Sequence, residues 1–400
     1  MTEARPRKSA IAYVAARLPT LSETFVYREL MGLQGRGRTI VPVTVRPPIG
    51  PFGDARLDAL AEEAVRVYSG RTALSLLPAF ATGPAAFLRA IGDAASADLD
   101  GAKARAKFLF QAWMGLATAW RLKGRDIGHV HAHLANTPAT VALYLARGLG
   151  ARYSFTGHAN DLFVHREGLK FKLTEADFVS SISRWHQGFY EAIAPGGLRP
   201  VIRCSVTVPD YAEGGANVVA VGRLVAKKGF DLLIRAFARL DRPGIRLRIA
   251  GDGPERAALI ALAEAEDIAD RVDFLGAKPH AEALAVIRSG AIFALPCRTS
   301  ATGDRDGIPV VLMEAMAAGK PVIAGRLETI AELVEDGTSG LLVPPDDVEA
   351  LTEALRRLVD DPEAGKAMGL AGRRRVEEEF SDAINWDRLE AVIDAVRGKE

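Results

Sequence analysis

The chain has little cysteine. Only Cys204 and Cys297 occur in its 400 residues, too few and too far apart for a disulfide framework or a zinc site. They fit a reducing compartment. No apolar run reaches the ~18 residues that a spanning helix needs, and the polar opening MTEARPRKSA does not read as a signal peptide. The expected location is therefore cytoplasmic, with peripheral attachment to the inner face of the cell membrane as the variant. Two familiar nucleotide motifs are incomplete. Gly251-Asp252-Gly253 lacks the third glycine of a dinucleotide-binding turn, which disfavours a dehydrogenase. Gly319-Lys320 runs into Pro321 instead of Ser or Thr, which excludes a P-loop NTPase. Sequence repeats and low-complexity tracts are absent as well.

What is present is ordinary for a globular protein: 48% apolar and 25% charged residues. The length predicts two domains, each able to bury its own core. The net charge of +1 hides an asymmetry. Residues 1–207 hold 26 Lys plus Arg against 16 Asp plus Glu, a net of +10; the remainder holds 25 against 34, a net of −9. The basic half suits an anionic lipid or a pyrophosphate-bearing acceptor, although uneven surface charge needs no partner. No nucleic-acid partner is expected.

The second half reads as strand followed by helix, repeatedly. Candidate strands are 217–223, 245–251, 271–276, 291–295, 321–324 and 340–343. Candidate helices are 229–240, 254–266, 280–290, the one after Pro309, and 347–360. Such alternation predicts a parallel, doubly wound sheet, with ligands beyond the carboxyl ends of its strands. The first half repeats the rhythm with strands at 10–16, 39–45, 126–133, 153–157, 178–183 and 201–206, and a mostly helical excursion at 72–122. Residues 211–217 read as the hinge between an N-terminal domain (1–210) and a C-terminal one (218–380). The last helix, 382–396 within a 381–400 tail, is expected to pack back on the first domain.

The stretch DGIPVVLMEAMAAGKP (306–321) carries the clearest chemistry. Pro309 suits a first helical position and Gly319 the position past the end. Asp306 then lies on the loop leading in, and Glu314 one turn inside, leaning back toward the same entrance. Unpaired amides at Val310 and Val311 face that entrance. Two acids and a positive helix end suit a polyhydroxylated, phosphorylated ligand. Arg223 ends the first strand of this half and Lys228 follows five residues later, so a guanidinium and an ammonium share the ligand-side rim. Gly229 lets the backbone approach closely there.

The set VGRLVAKKG, AGDGPE, FLG and DGIPVVLMEAMAAGKPVIA, in this order and spacing, resembles the nucleotide-sugar domain of family 4 glycosyltransferases with the GT-B fold. In the first half, LPTLSETFVYREL (18–30), HVHAHLA (129–135) and SFTGHANDLF (154–163) resemble the exopolysaccharide branch, including colanic-acid-type enzymes. The resemblance implies two Rossmann-like parallel-sheet domains facing across a cleft. It also implies retaining, metal-independent transfer of a sugar from a nucleotide diphosphate donor to a glycan or lipid-linked glycan acceptor. UDP-hexose is favoured as donor, with GDP-mannose next; the donor is a substrate, and no cofactor is expected.

By that resemblance Arg223 and Lys228, with Gly222 beside them, hold the diphosphate, and Glu314 the ribose. Asp306, Gly307, Ile308, Pro309, Val310 and Val311 grip the sugar hydroxyls and phosphate. His158 faces the sugar, so His158 and Asp306 are the catalytic candidates. Retention is attributed in this family to front-face attack assisted by the leaving phosphate, so no covalent nucleophile is nominated. Three departures concern specificity. Asp306 stands where the family has Glu, Thr329-Ile330-Ala331-Glu332 replaces a Gly-x-Pro-Glu-like loop, and Arg203-Cys204-Ser205 replaces His-Cys-Gly.

On the acceptor side, Ser22, Glu23 and Thr24 cap the first helix or line the site. Asp161 orients His158 or caps the segment after it. His131 and His133 share one face of a strand; with His158 and Asp161 they sketch a metal cluster, but no further ligand spacing supports one. In 103–125, Lys103, Arg105, Lys107, Arg121, Lys123 and Arg125 flank an apolar stripe of Phe110, Trp113, Ala117 and Trp120. Such a helix lies on an anionic membrane or packs in a core. The competing functions are a nucleotide-sugar epimerase and a non-catalytic nucleotide-sugar-binding protein.

Overall fold

β1 (Ala10–Ala15) sends alternate side chains to two buried, apolar faces, as a central strand covered on both sides must. In this computed structural model, which describes residues 9–20, 23–211 and 213–398, β1 pairs in parallel with β2 (Ile40–Thr44) and β4 (Ile127–His133). β3 (Val65–Arg66), β5 (Arg152–Thr156) and β6 (Phe178–Ser180) complete a six-stranded parallel sheet in the order β3-β2-β1-β4-β5-β6. Ala10, Ala12 and Val14 face Val41, Val43 and the helices between residues 84 and 149. Ile11, Tyr13 and Ala15 face the Thr24–Gly35 helix through Val26, Leu30 and Leu33, and the last helix, Asp382–Arg397, through Leu389, Ile393 and Val396.

The second sheet is built alike. β7 (Val218–Val221), β8 (Leu247–Ala250), β9 (Val272–Gly276), β10 (Ile292–Leu295), β11 (Val322–Gly325) and β12 (Leu341–Val343) lie in the order β12-β11-β10-β7-β8-β9. The Phe230–Ala238 helix buries Phe230, Leu233, Ile234 and Phe237 completely; at roughly 1.5–3 kcal/mol for each such side chain it is a main anchor of this core.

The chain divides into one unit of Met1–Ile202 with Trp386–Glu400 and another of Arg203–Asn385. The crossings thus fall at 202/203 and 385/386, whereas the sequence placed a hinge at 211–217. Some elements differ from the sequence reading. The expected strand 201–206 is reduced to isolated bridges, Val201 with Ser181 and Val206 with Ser381. Pro200 has no N–H for a ladder, and β6 itself is only three residues long. β3 and the 18-residue helix Pro362–Glu379 had no counterpart in that reading. β3 is too short to show alternation, and the helix carries so many charges that its apolar stripe is thin.

Candidate functional site

In the second sheet the chain runs β7, β8, β9 to one edge, then returns to place β10 on the other side of β7. The crevice at the carboxyl ends of β7 and β10 is the topological switch point, where open α/β sheets take ligands. Two loops meet there. One, after β7, carries Gly222, Arg223 and Lys228; the other, after β10, carries Asp304, Asp306 and Gly307 into the Val310–Ala317 helix. Close approach of backbone requires glycine twice. A Cβ on Gly229, whose φ is +67°, would lie 2.2 Å from the Pro296 carbonyl oxygen, and one on Gly251 would lie 1.9 Å from that of Gly222.

Lys228 Nζ sits 2.9 Å from Asp306 Oδ2, each side chain only 12% exposed. Lys227 Nζ lies 3.1 Å from Asp304 and 3.6 Å from Asp306. Cys297 donates its S–H to Asp306 at 3.4 Å. Burial alone would push both members of the Lys228–Asp306 pair toward neutrality. Instead Lys228 and Lys227 hold the Asp306 carboxyl below its ordinary range, and Asp306 raises Lys228. Both groups are therefore charged at neutral pH. Arg223 is exposed beside them and forms no ion pair among the described residues.

The helix begins one residue later than its sequence suggested, with Pro309 at the cap position. Its first backbone bonds run from Leu312 and Met313 to the Pro309 carbonyl, so the amides of Val310 and Val311 precede the ladder. Gly319 closes the other end at φ +74°. Glu314 is 6% exposed and accepts a 2.8 Å hydrogen bond from His280 Nε2. His280 went unnoticed in the sequence, because a lone histidine opening a helix carries no spacing signal.

The first sheet has its own switch point, between β1 and β4. His129, His131 and His133 all point to one face of β4 and are buried. His129 Nε2 and His131 Nδ1 both lie 2.7 Å from Ser154 Oγ, and His131 Nε2 lies 3.1 Å from Thr156 Oγ1. His133 Nδ1 is 2.9 Å from His158 Nε2, and His133 Nε2 is 3.1 Å from Glu29 Oε1. Tyr13 hydrogen-bonds both Glu29 and His133. In the tautomer in which His133 donates from Nε2 to the Glu29 carboxylate, its Nδ1 accepts from His158 Nε2 and His158 Nδ1 is left as an acceptor. Burial, reinforced by His133 and His186, drives the His158 pKa well below the usual histidine value, so the ring is neutral. Glu29 and Tyr13 were not singled out in the sequence, because 104 and 120 residues separate them from His133.

Ligand atoms of Glu29, His131 and His133 lie within 4.8 Å of one another, the one grouping among the described residues that would accept a metal ion. Both ring nitrogens of His131 and of His133 are already hydrogen-bonded. The sketch with His158 and Asp161 does not form, because Asp161 turns to backbone. It accepts from the amides of Ala135 at 2.7 Å, Ala159 at 2.9 Å and His158 at 3.2 Å. Asp161 therefore fixes the loop, not the imidazole. Burial raises its pKa against those amide bonds.

Glu23 occupies the cap position of the Thr24–Gly35 helix without a side-chain cap bond. Burial raises its carboxyl pKa, with His133 opposing and Asp161 adding. Thr24 is the first helical residue, and Ser22 lies outside the described residues. The stripe in 103–125 is split. Ala117 is buried and Trp113 packs on Phe87, while Phe110 is 51% and Trp120 39% exposed. Arg105 and Arg121 spend their guanidinium groups on the carbonyls of Ala94 and Arg66. More exposed apolar side chains lie earlier, among them Leu74 at 80%, Leu77 at 78% and Leu88 at 63%. They belong to the short helices between Gly70 and Ser96, which bend by 105° at residue 83. Among the described residues no single helix is long and apolar enough to cross a membrane.

Residues 209–375 match the family described as Glycosyl transferases group 1. Over 288 residues the chain is 36% identical to the GDP-mannose-dependent alpha-(1-6)-phosphatidylinositol monomannoside mannosyltransferase of Mycolicibacterium smegmatis, across 66% of this chain and 75% of that protein. The chain belongs to the group 1, GT4-type glycosyltransferases. This glycosyltransferase is also 38% identical over 184 residues to the putative colanic acid biosynthesis glycosyltransferase WcaL of Escherichia coli, across 45% of each chain. Its fold is GT-B. Sucrose-phosphate synthase from Thermosynechococcus elongatus matches with a TM-score of 0.73 at 19% identity, over 98% of this chain and 100% of that one. HepE of Anabaena, solved with UDP, matches at 0.69 and 16%, over 96% and 100%.

The departures from the family pattern contact one another in the glycosyltransferase. Arg203 lies 3.1 Å from Glu332 and stacks its guanidinium 4.7 Å from the Phe380 ring centre. The segment expected as a loop is instead the short helix Glu328–Ala331 with Glu332 at its end, and its Thr329 donates to the Asp306 carbonyl at 3.3 Å. That short helix thus braces the backbone of Asp306.

Proposed function

We propose that this glycosyltransferase moves a hexose, with retention at the anomeric carbon and without a metal, from a nucleoside diphosphate sugar to a glycan or lipid-linked glycan of a bacterial surface. The observation that carries this is the charged Lys228–Asp306 pair at the second switch point. It stands beside the exposed Arg223 and the uncapped start of the Val310–Ala317 helix. Arg223 and Lys228 take the diphosphate, whose charge grows as the glycosidic bond breaks. Cations and helix amides therefore bind the transition state more tightly than the ground state. Freed from Lys228 as phosphate takes its place, Asp306 turns to the sugar hydroxyls and stabilises the electron-poor ring. Glu314, held by His280, takes the ribose.

His158, neutral and held through His133, is the catalytic candidate of the first unit. Glu23, Thr24 and Ser22 belong to the acceptor side, with Asp161 as a loop brace. GDP-mannose becomes the first donor to try, because the mycobacterial relative is named for it; a UDP-hexose is second. The glycosyltransferase is further proposed to rest on an anionic membrane surface. The helices around Leu74, Leu77 and Leu88 form the apolar contact, and the exposed Lys103, Lys107, Lys123 and Arg125 form the charged one.

The test is titration with GDP and UDP by calorimetry, followed by nucleotide release from GDP-mannose and UDP-glucose with and without lipid-linked acceptors. Release that depends on an acceptor supports transfer. Sugar inversion without acceptor marks an epimerase, and binding without turnover a sensor. Product anomers read by NMR decide retention, and activity in excess chelator decides the metal.

A further inference from the structure

A cavity of about 230 Å³ opens in the first unit, with Lys103, Lys107, Gln111, Thr137 and Lys172 in its wall. It is smaller than the roughly 300–1,000 Å³ of pockets that take whole drug-sized ligands, so it suits a single small group. Lys172 is its unusual feature. The side chain is 1% exposed, and its ammonium donates to the Glu167 carbonyl at 2.9 Å. No carboxylate lies within ion-pair distance of it among the described residues. An ammonium has three donors, so one bond leaves a buried charge largely uncompensated, which is costly.

The surroundings do not supply the missing charge. Burial lowers the Lys172 pKa to about 8, although Asp98, Glu167 and Asp161 pull the other way, and Lys107 adds to the lowering. Asp100 and Glu167 also touch the cavity but are exposed, so water and salt screen them. The Thr137–Leu149 helix starts at the cavity with no side-chain cap from Asn136 and with Pro138 in its first turn. Its positive end adds to the lysines. Gln111 Nε2, 3.0 Å from Thr137 Oγ1, holds that end in place. The helix begins four residues after His133, where β4 ends, so the cavity lies at the ligand-side edge of the first sheet.

We infer that this cavity is an anion site that binds a phosphate group, the one carried by a phosphorylated acceptor. The acceptor part of the inference rests on the transferase reading above; the anion site does not. Phosphate oxygens accept from the spare Lys172 donors, from Lys107 and from the uncapped amides, and the attached sugar lies outward toward the edge where His133 ends.

The experiment has two arms. Thermal-shift titration with inorganic pyrophosphate, at saturating GDP and UDP to fill the donor site, reads the anion site alone. Saturable stabilisation of the wild type in the millimolar range, weakened at least tenfold in Lys172→Met and in the surface variant Lys107→Gln, is expected. No saturable effect, or equal effects in all three proteins, overturns the site. The second arm compares transfer to a phosphate-linked glycan with transfer to the same glycan lacking phosphate. Lys107→Gln should reduce the preference for the phosphorylated acceptor about tenfold through KM. An unchanged preference with pyrophosphate binding lost assigns the cavity to free phosphate and overturns the acceptor part. A wild type that binds pyrophosphate but releases nucleotide from no donor keeps the site and sinks the transferase reading instead.

Discussion

Lys228 Nζ and Asp306 Oδ2, 2.9 Å apart at the switch point of the second sheet, neutralise each other before any donor arrives. The two groups are 78 residues apart in sequence and come from loops on neighbouring strands. In the proposed function, their pairing keeps a buried ammonium ready for phosphate and restrains the carboxylate assigned to the sugar.

Breaking this pair from one side leaves a buried charge. Lys228→Met and Asp306→Asn should each destabilise the protein by about 3–5 kcal/mol, whereas the double variant Lys228→Met/Asp306→Leu should come within about 1–2 kcal/mol of wild type. All three should lose transfer by roughly 10²–10³-fold, as removal of a charge-stabilising group does. Urea titrations and nucleotide-release rates check both parts. A double variant as unstable as the singles would refute the pairing argument.

Glu29 acts on His158 only through His133, 3.1 Å and then 2.9 Å away. Glu29→Gln should keep the fold but weaken the hold on the His133 tautomer. The expected result is a fall in kcat of about 10–100-fold with little change in donor KM, as loss of a positioning contact gives. Equal loss in donor KM would point to a structural role, and unchanged kinetics would remove Glu29 from the chain.

The buried histidines make stability depend on pH. Burial lowers the pKa of His129 to about 3 and those of His131 and His158 well below the ordinary 6.5. The unfolded chain therefore binds protons that the native state refuses, so stability is full above about pH 6.5 and falls as pH drops. At about 1.4 kcal/mol per pH unit for each group, three histidines give a slope approaching 4 kcal/mol per unit between about pH 6 and 5. Glu23 and Asp161, whose pKa values burial raises, act in the opposite sense and flatten the curve toward the acid side. Urea unfolding from pH 7.5 to 5 measures it; a flat profile contradicts the burial of neutral rings.

Leu77 and Leu88 are 78% and 63% exposed, so replacing them removes little folded-state packing. Leu77→Asp/Leu88→Asp should leave stability within about 0.5 kcal/mol, as surface changes do. Flotation with phosphatidylglycerol vesicles should fall several-fold, and wild-type flotation should fade as salt rises. A wild type that stays in the dense fraction at low salt would end the membrane reading.

Glu314 and His280 form a third pair, 2.8 Å apart. Glu314→Ala should weaken GDP and UDP binding by about 1.5–3 kcal/mol, the range for a charged hydrogen bond. His280→Ala should give a smaller loss of the same sign. Calorimetric affinities indistinguishable from wild type in both would move the ribose elsewhere.

Much of this was legible in the linear chain. Eleven of the twelve strands among the described residues were visible as short apolar runs, because parallel strands buried on both faces need continuous Val, Ile, Leu and Ala. The Asp306-to-Pro321 segment announced a loop, a helix and its stop through proline and glycine, whose backbone preferences are local. The Arg223 and Lys228 positions followed from where a strand ends. What stayed hidden was contact between distant residues: Glu29 with His133, His280 with Glu314, Arg203 with Glu332, and the cavity around Lys172. Residues 201–206 have the apolar content of a strand, but only Val201 and Val206 find bridge partners, in Ser181 and Ser381. The 103–125 stripe looked like one face, yet the Thr137–Leu149 helix and its neighbours cover part of it and leave the rest bare.

Local sterics and hydrophobic period, both properties of a few consecutive residues, determined from the sequence alone that this protein is two parallel α/β sheets and that a helix starts just after Pro309. Which charges meet, which histidine holds another and which lysine is left buried without a counter-ion were decided only by the tertiary structure. Sheet order and loop path bring those groups together across tens of residues, and the energy of a charge depends on the neighbours that fold around it.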